Sequence, residues 1–344
     1  MRALAAARLS EDDFIAAIVE ALGQSRTTSQ LRVGIGDDAA AWKAGSKHLS
    51  LITTDMLVDG IHFRSGATTA AQLARKSLAK NLSDIAAMAG APRLAVIALG
   101  VSDGIDQSWL RQYYGGLAEL ADQTQCAIAG GDIVRAPALT LGITVVGEVR
   151  RTRMRVRSGA RAGDVAAVTG PLGLAAAGLR VLDAHAEKKM EPADAETVRA
   201  AYLTPTPRLR EGQYFGSRRA CRALMDISDG VSTDIARMAR ASGVDAVIDR
   251  ASLRLDRGLV AAMKAVGGDP LDTALNGGDD YELLAAIEPR AFTHVARAFR
   301  ARFHRELQPV GRFVAGSGRV WIDAGGRRSE LPAAGWDHLR ARER

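Results

Sequence analysis

Apolar positions along this chain follow two different periods. Short runs rich in β-branched residues, or alternating apolar with polar, predict strands. These lie at "HLSLITTD" (48–55), "RLAVIALGV" (93–101), "CAIAGGD" (126–132), "ALTLGITVVGEV" (138–149), "GDVAAVTG" (163–170), "ALMDISD" (223–229), "VDAVID" (244–249), "YELLAAIE" (281–288) and "QPVGRF" (308–313). Longer alanine-rich stretches with apolar residues every three or four positions predict helices over 71–90, 108–124, 173–183, 231–242 and 290–303. Within the first of these, Leu78, Leu82, Ile85 and Ala89 fall on one helical face. The interleaving of the two periods predicts a mixed α/β protein. A basic, apolar-poor segment after Val149 marks an expected boundary between a domain over 1–149 and one over 150–344.

Composition narrows the class. The 344 residues suffice for two domains, and 47% apolar with 25% charged residues is ordinary for a globular protein. No apolar run approaches the roughly 18–20 residues that span a bilayer, so no membrane association is expected. Arg8, Glu11, Asp12 and Asp13 interrupt the place where a secretory leader needs an apolar core. The two cysteines, Cys126 and Cys221, each lie in an apolar stretch, which argues against a disulfide framework and for a reducing cytoplasm. The net charge of +7 comes from arginine spread along the chain. Its densest cluster, Arg150 to Arg157, lacks interleaved aromatics, so a solvated basic surface is expected rather than a nucleic-acid partner.

The chemistry lies in the aspartates, which gather at predicted strand ends beside small residues. Asp37 and Asp38 follow "VGIG", Asp55 ends "LITTD", and Asp132 ends "AIAGGD". Asp226 and Asp229 lie in "MDISDG", and Asp279 and Asp280 follow "LNGG". Strand ends of α/β folds open onto ligand crevices. Asp84 lies on the polar flank of a predicted helix with Ser77 and Lys80, where an i,i+4 ion pair and a carboxylate aimed at the cleft are both open readings. With Thr53, Thr54 and Ser228 nearby in sequence, this is an all-oxygen donor set, suited to Mg²⁺ or Mn²⁺; the six histidines show no ligand spacing for zinc. Magnesium held by few carboxylates completes its shell with substrate phosphates. No G-x-x-x-x-G-K-[ST] loop is present. "GIGDDA" matches a dinucleotide fingerprint only on paper, because its two acids would repel a pyrophosphate.

The motifs "GIGDDAA", "TTDMLVDGIHF", "KNLSDIAAMAG", "GGDIVRAP", "MDISDGVSTDI" and "NGGDDYELL" follow one another in this order. Together they resemble the thiamine-monophosphate kinases, within the ATP-binding superfamily of aminoimidazole ribonucleotide synthetase, from about Phe14 to Trp336. The resemblance implies a two-domain α/β fold of α+β type, joined as a homodimer through strands of the N-terminal domain. It implies phosphorylation of thiamine monophosphate to thiamine diphosphate by ATP, with several magnesium ions and no catalytic side chain beyond the metal-bound acids. Asp38, Thr53, Thr54, Asp55, Asp84, Asp132, Asp226 and Asp229 then correspond to metal-site residues. Tyr114, Gly131, Asp132, Arg157 and Ser228 correspond to ATP contacts, and His62, Asp279 and Trp336 to the thiamine-phosphate site. In the first acid pair, Asp37 is expected to shape the turn and Asp38 to bind metal. Residue 279 departs from the family pattern, which commonly has glutamate there. Two other functions compete: an amidine-forming, ATP-dependent synthetase of the same superfamily, and a basic nucleic-acid-binding protein.

Overall fold

The computed structural model describes residues 17, 19–23, 31–33, 41–42 and 47–335. By contacts the chain divides into two compact units. The first draws on Met1–Ser46, Ile52–Asn81 and Pro92–Glu148, the second on Lys47–Leu51, Leu82–Ala91 and Val149–Arg344.

In the first unit, β1 (Leu31–Val33) pairs antiparallel with β2 (Ala41–Trp42). A four-stranded sheet is built from β3 (His48–Val58), β4 (Ala91–Val101), β5 (Ala127–Arg135) and β6 (Thr140–Arg150), in the order β3-β6-β4-β5. Strand alternation gives the sheet two unlike faces. Leu141, Ile143 and Val145 of β6 are buried, whereas Ile52 and Met56 of β3 and Val134 of β5 are exposed. Helix α1 (Ala70–Ala87), whose residues from Leu82 onward belong to the second unit, connects β3 to β4, and α2 (Gln107–Thr124) connects the parallel pair β4 and β5. Asp106 caps α2 by accepting from Trp109 N at 2.7 Å. The two helices approach closely at Gly116, where a Cβ would stand 2.6 Å from Ala71 O.

The predicted apolar face of α1 is buried: Leu78 and Leu82 are fully covered, with Ile85 and Ala89 nearly so. The helix ends at Ala87, before the expected residue 90, for a local reason. Ala89 is left-handed (φ 58°) and Gly90 N returns to Ile85 O, which closes the last turn.

The second unit holds a seven-stranded sheet of β7 (Val165–Val168), β8 (Cys221–Ile227), β9 (Val244–Asp249), β10 (Glu282–Ile287), β11 (Gln308–Ala315), β12 (Val320–Ala324) and β13 (Arg327–Glu330). Its order is β13-β12-β9-β11-β7-β10-β8, and only β12 with β9 is parallel among its described pairings. Helices α3 (Leu174–Asp183), α4 (Pro192–Leu203), α6 (Val231–Ser242) and α7 (Arg257–Val266) join Val168, Met225, Ile227, Ile248, Leu284 and Phe313 in the main core. Tyr214 and Phe215 of α5 (Leu209–Gly216) pack with Phe299 and Phe303 of α9 (Pro289–Phe303) in an aromatic cluster. A short α8 (Pro270–Asn276) precedes β10.

Strand β8 spans 221–227 rather than the expected 223–229. It stops because the amides of Ser228 and Asp229 turn to the carboxylate of Asp234 instead of to a neighbouring strand. Asp229 therefore stands in a loop. Helices α4, α5, α7 and α8 and the hairpin β12–β13 have no counterpart among the elements expected from periodicity.

Candidate functional site

The expected site residues fall in two sets, one in each unit. In the first, Asp55 lies on β3 with a carboxylate oxygen 3.3 Å from Lys80 Nζ on α1. Strand alternation puts Thr53 on the same face as Asp55 and Thr54 on the opposite one, with Ile52 and Met56. The Thr54 hydroxyl donates to Ile143 O at 3.2 Å and accepts from Thr144 Oγ1 at 3.0 Å, which ties it to β6.

Asp132 is exposed on β5, which runs past it to Arg135 rather than ending there. Its side chain accepts from Ile133 N at 2.9 Å. The preceding glycines are sterically required. Gly130 has φ +146°, and a Cβ on Gly131 would lie 1.8 Å from Ile97 O of β4. The "GGD" motif is thus a tight strand-to-strand approach that ends on a solvent-facing acid.

His62 sits in the turn after β3, where Val58 N donates to its Nδ1 at 3.0 Å. That bond makes Nδ1 a hydrogen-bond acceptor. Tyr114 is buried on α2, edge-on to Tyr113, which stacks on Trp109 and meets Ser77 Oγ at 3.1 Å. Burial, and then the neighbouring Tyr113, push the Tyr114 phenol well above its ordinary range.

In the second unit, Asp226 at the end of β8 accepts from Ser83 Oγ at 2.7 Å. Ser83 is fully buried near the end of α1, and half-buried Asp84 follows it. Beyond β8, the loop Ser228–Gly230 is organised by one residue of α6. Asp234 Oδ2 accepts from Ser228 N and Asp229 N, each at 3.1 Å, and Arg237 Nη1 donates to Asp234 Oδ1 at 2.8 Å. The same guanidinium nitrogen is 2.5 Å from Asp229 Oδ2. Burial, then the charge of Asp229, raise the Asp234 carboxyl to about 6 against the pull of Arg237. Gly230 enters α6 with φ +103°, and a Cβ there would be 2.8 Å from the Asn276 backbone.

A second loop, residues 277–281, packs beside the first through Asp279 N to Ser228 O at 2.8 Å and Tyr281 N to Ile227 O at 2.9 Å. Asp279 and Tyr281 are both left-handed, at φ 67° and 50°, and the Tyr281 hydroxyl donates to Asp279 Oδ1 at 2.7 Å. Two such residues in one loop store strain of a kind common at functional sites. Asp280 points the other way, accepting from Gly173 N at 2.6 Å at the start of α3. Burial pushes its carboxyl up to about 8, with Glu282 and Asp279 adding to the rise and the amides of Gly173 and Ala175 opposing it. The acid pair thus divides into a displayed Asp279 and an anchoring Asp280. Behind them, buried Glu282 holds Arg208 in a fork at 2.8 and 3.0 Å and meets Arg305 at 2.7 Å and Thr169 Oγ1 at 2.6 Å.

Arg157 is exposed between β6 and β7. Asp37, Asp38 and Trp336 lie outside the described residues, although Gly335 donates to Thr233 Oγ1 at 3.0 Å. Sequence reasoning missed Ser83, Asp234, Arg237, Asp280 as an anchor, and Glu282. The sole available signal was Asp234 in the first turn of a predicted helix, and its partners could not be read from that position.

The donor chemistry fits magnesium. The described carboxylates at residues 55, 84, 132, 226 and 229 are half-buried or exposed and offer oxygen alone. Among the described residues no group of three His, Cys, Asp or Glu is gathered as a ready metal cage. An all-oxygen donor set of this kind suits a hard divalent cation that completes its shell with substrate phosphates. Cys126 and Cys221 are buried free thiols, which burial holds at about 12.

The model of the AIR synthase related protein N-terminal domain matches residues 36–149, and that of the C-terminal domain matches 161–323. The thiamine-monophosphate kinase of Aquifex aeolicus (strain VF5) is 33% identical over 305 residues, covering 89% of this chain and 92% of its own length. The crystal structure of thiamine-monophosphate kinase from Stenotrophomonas maltophilia K279a superposes with a TM-score of 0.80 at 33% identity, over 89% of this chain and 96% of that one. The structure of AaThiL complexed with AMPPCP and TMP gives a TM-score of 0.74 at 29% identity, over 97% of this chain and 99% of that one.

Proposed function

The chain belongs to the thiamine-monophosphate kinase family, within the AIR synthase related proteins, and on that premise we propose that it transfers the γ-phosphate of ATP to thiamine monophosphate. The products are thiamine diphosphate and ADP. The observation that carries this reading is the likeness, over 97% of the chain, to a protein that holds AMPPCP and TMP together.

Both substrates are anions, so catalysis is a matter of positioning and charge neutralisation. The accepting phosphate oxygen is already ionised; transfer is direct and in line, without a phosphoenzyme. Asp38, Asp55, Asp84, Asp132, Asp226 and Asp229, with Thr53 and Thr54, would hold several magnesium ions. Bound magnesium supplies neutralisation of phosphate charge and alignment of the reacting oxygens. Tyr114, Gly131, Asp132, Arg157 and Ser228 serve ATP. His62, Asp279 and Trp336 serve the thiamine phosphate. Support comes from the exposed acid after the tight Gly131 crossing, the His62 ring held through Nδ1 by Val58 N, and the Tyr281 hydroxyl bonded to Asp279.

The working protein is a cytoplasmic homodimer, with domains over 1–149 and 150–344. The dimer reading rests on the exposed apolar side chains of Ile52, Met56 and Val134 on the four-stranded sheet.

Incubation with Mg·ATP and thiamine monophosphate, followed by chromatography, yields thiamine diphosphate and ADP in equal amounts. Release of inorganic phosphate in step with ADP would favour a synthetase of the same superfamily. Folded protein that forms no thiamine diphosphate overturns the reading.

A further inference from the structure

Asp234 is fully buried, and no substrate or metal contact has been assigned to it. A buried carboxylate is costly unless its bonds require the charge. Two of its bonds do not. Capping the amides of Ser228 and Asp229, each at 3.1 Å, needs only an oxygen acceptor, which Asn or Ser also provides. The third is charge-assisted: Arg237 Nη1 donates to Asp234 Oδ1 at 2.8 Å, and that same nitrogen lies 2.5 Å from Asp229 Oδ2. One carboxylate thus grips the loop at the backbone of Asp229 and, through a shared guanidinium, at its side chain. The backbone amide of Asp229 and one oxygen of its carboxylate are thus both held.

The geometry points to Asp234 as a positioning residue that, with Arg237 as its relay, sets the orientation of Asp229 for divalent-cation binding. This rests on the proposed function, which assigns Asp229 to magnesium. Arg237 is half-buried on α6, three residues along from Asp234, so the helix itself fixes the spacing of the relay.

Mn²⁺ serves as the probe, its binding to the full-length chain measured by electron paramagnetic resonance and calorimetry, with thermal unfolding as a check on the fold. Asp234→Asn retains an oxygen for the loop amides but turns an amide donor toward Arg237. The expected result is Mn²⁺ binding weakened roughly 10–100-fold, as when a group orienting a metal ligand is removed. In an Asp229→Asn background the same substitution changes affinity by less than about threefold, because the ligand it positions is already disabled. Equal losses in both backgrounds, or no loss in either, overturn the inference and leave the proposed function standing. If Asp229→Asn alone leaves Mn²⁺ affinity unchanged, the metal role of Asp229 fails, and the inference fails with it. Should Asp234→Asn not fold, Arg237→Gln at its half-exposed position replaces it. It must alter Mn²⁺ affinity only when Asp229 is present; any other pattern overturns the inference.

Discussion

At the scale of single residues, charge and stability separate cleanly at Asp55. Its partner is Lys80 at 3.3 Å, both side chains partly exposed, at 23% and 16%. Such a pair contributes at most about 1 kcal/mol. Asp55→Asn should therefore unfold within a few degrees of the wild type, while the metal role proposed for Asp55 requires kinase activity to fall by roughly two orders of magnitude or more. Parallel thermal melts and product assays check this, and a large fall in melting temperature with activity retained would make Asp55 a structural residue instead. Asp279 shows backbone conformation bearing on residue choice. At φ 67° a short acid is tolerated better than a longer side chain, because aspartate can bond locally in the left-handed region. The Tyr281 hydroxyl supplies that local bond.

At the scale of elements, β9 and the turn into β12 depend on one carboxylate. Asp245 accepts from the amides of Ser317, Gly318 and Arg319 at 2.8, 3.0 and 2.9 Å, and from Trp321 Nε1 at 3.1 Å. Burial alone would raise its pKa, but the bonds from Trp321, Arg319, Ser317 and Gly318 together hold it down at about 2. The folded value lies below the unfolded one, so the contribution is present above pH 3.8 and is lost as pH falls through about 2. Asp245→Ala should cost about 2–4 kcal/mol at neutral pH, since it leaves four donors unpaired. In urea titrations from pH 6 to pH 2, the variant and the wild type should converge toward the acid end. A difference that stays constant across that range would show that the charge of Asp245 does not matter. The loop 277–281 follows a different logic: Asp280 ties it to α3 by its backbone bond to Gly173, leaving Asp279 displayed.

At the scale of the whole molecule, no helix among the described residues is long and apolar enough to cross a membrane. The first unit nevertheless exposes Ile52 at 71%, Met56 at 58% and Val134 at 55% on its sheet. Ile52 and Met56 share one face of β3, and exposed apolar side chains grouped in this way mark an association surface. Ile52→Asp with Met56→Asp should shift the protein from dimer to monomer in sedimentation velocity, with the far-ultraviolet circular dichroism spectrum unchanged. A wild-type chain that sediments as a monomer at micromolar concentration would remove the dimer from the proposal.

Local pattern determined much of this protein. The strands expected at 48–55, 93–101, 244–249 and 308–313 and the helices expected at 108–124 and 231–242 are present with ends that differ by at most a few residues, because burying one face is a short-range constraint. The ordered acid motifs carried the family for the same reason, each being a contiguous stretch. Other features were illegible. Helix α4 has a thin apolar stripe and buries Asp194 on it, and the four residues of β13 are all polar and exposed. Tertiary structure alone decided which groups meet: Ser83 with Asp226 across 143 positions, and Arg208 and Arg305 on Glu282. It also decided that Asp229 is held by Arg237 and Asp234 rather than ending a strand. Hydrogen-bond partners are set by strand order and by how helices cross it, and neither is written in the period of any one segment.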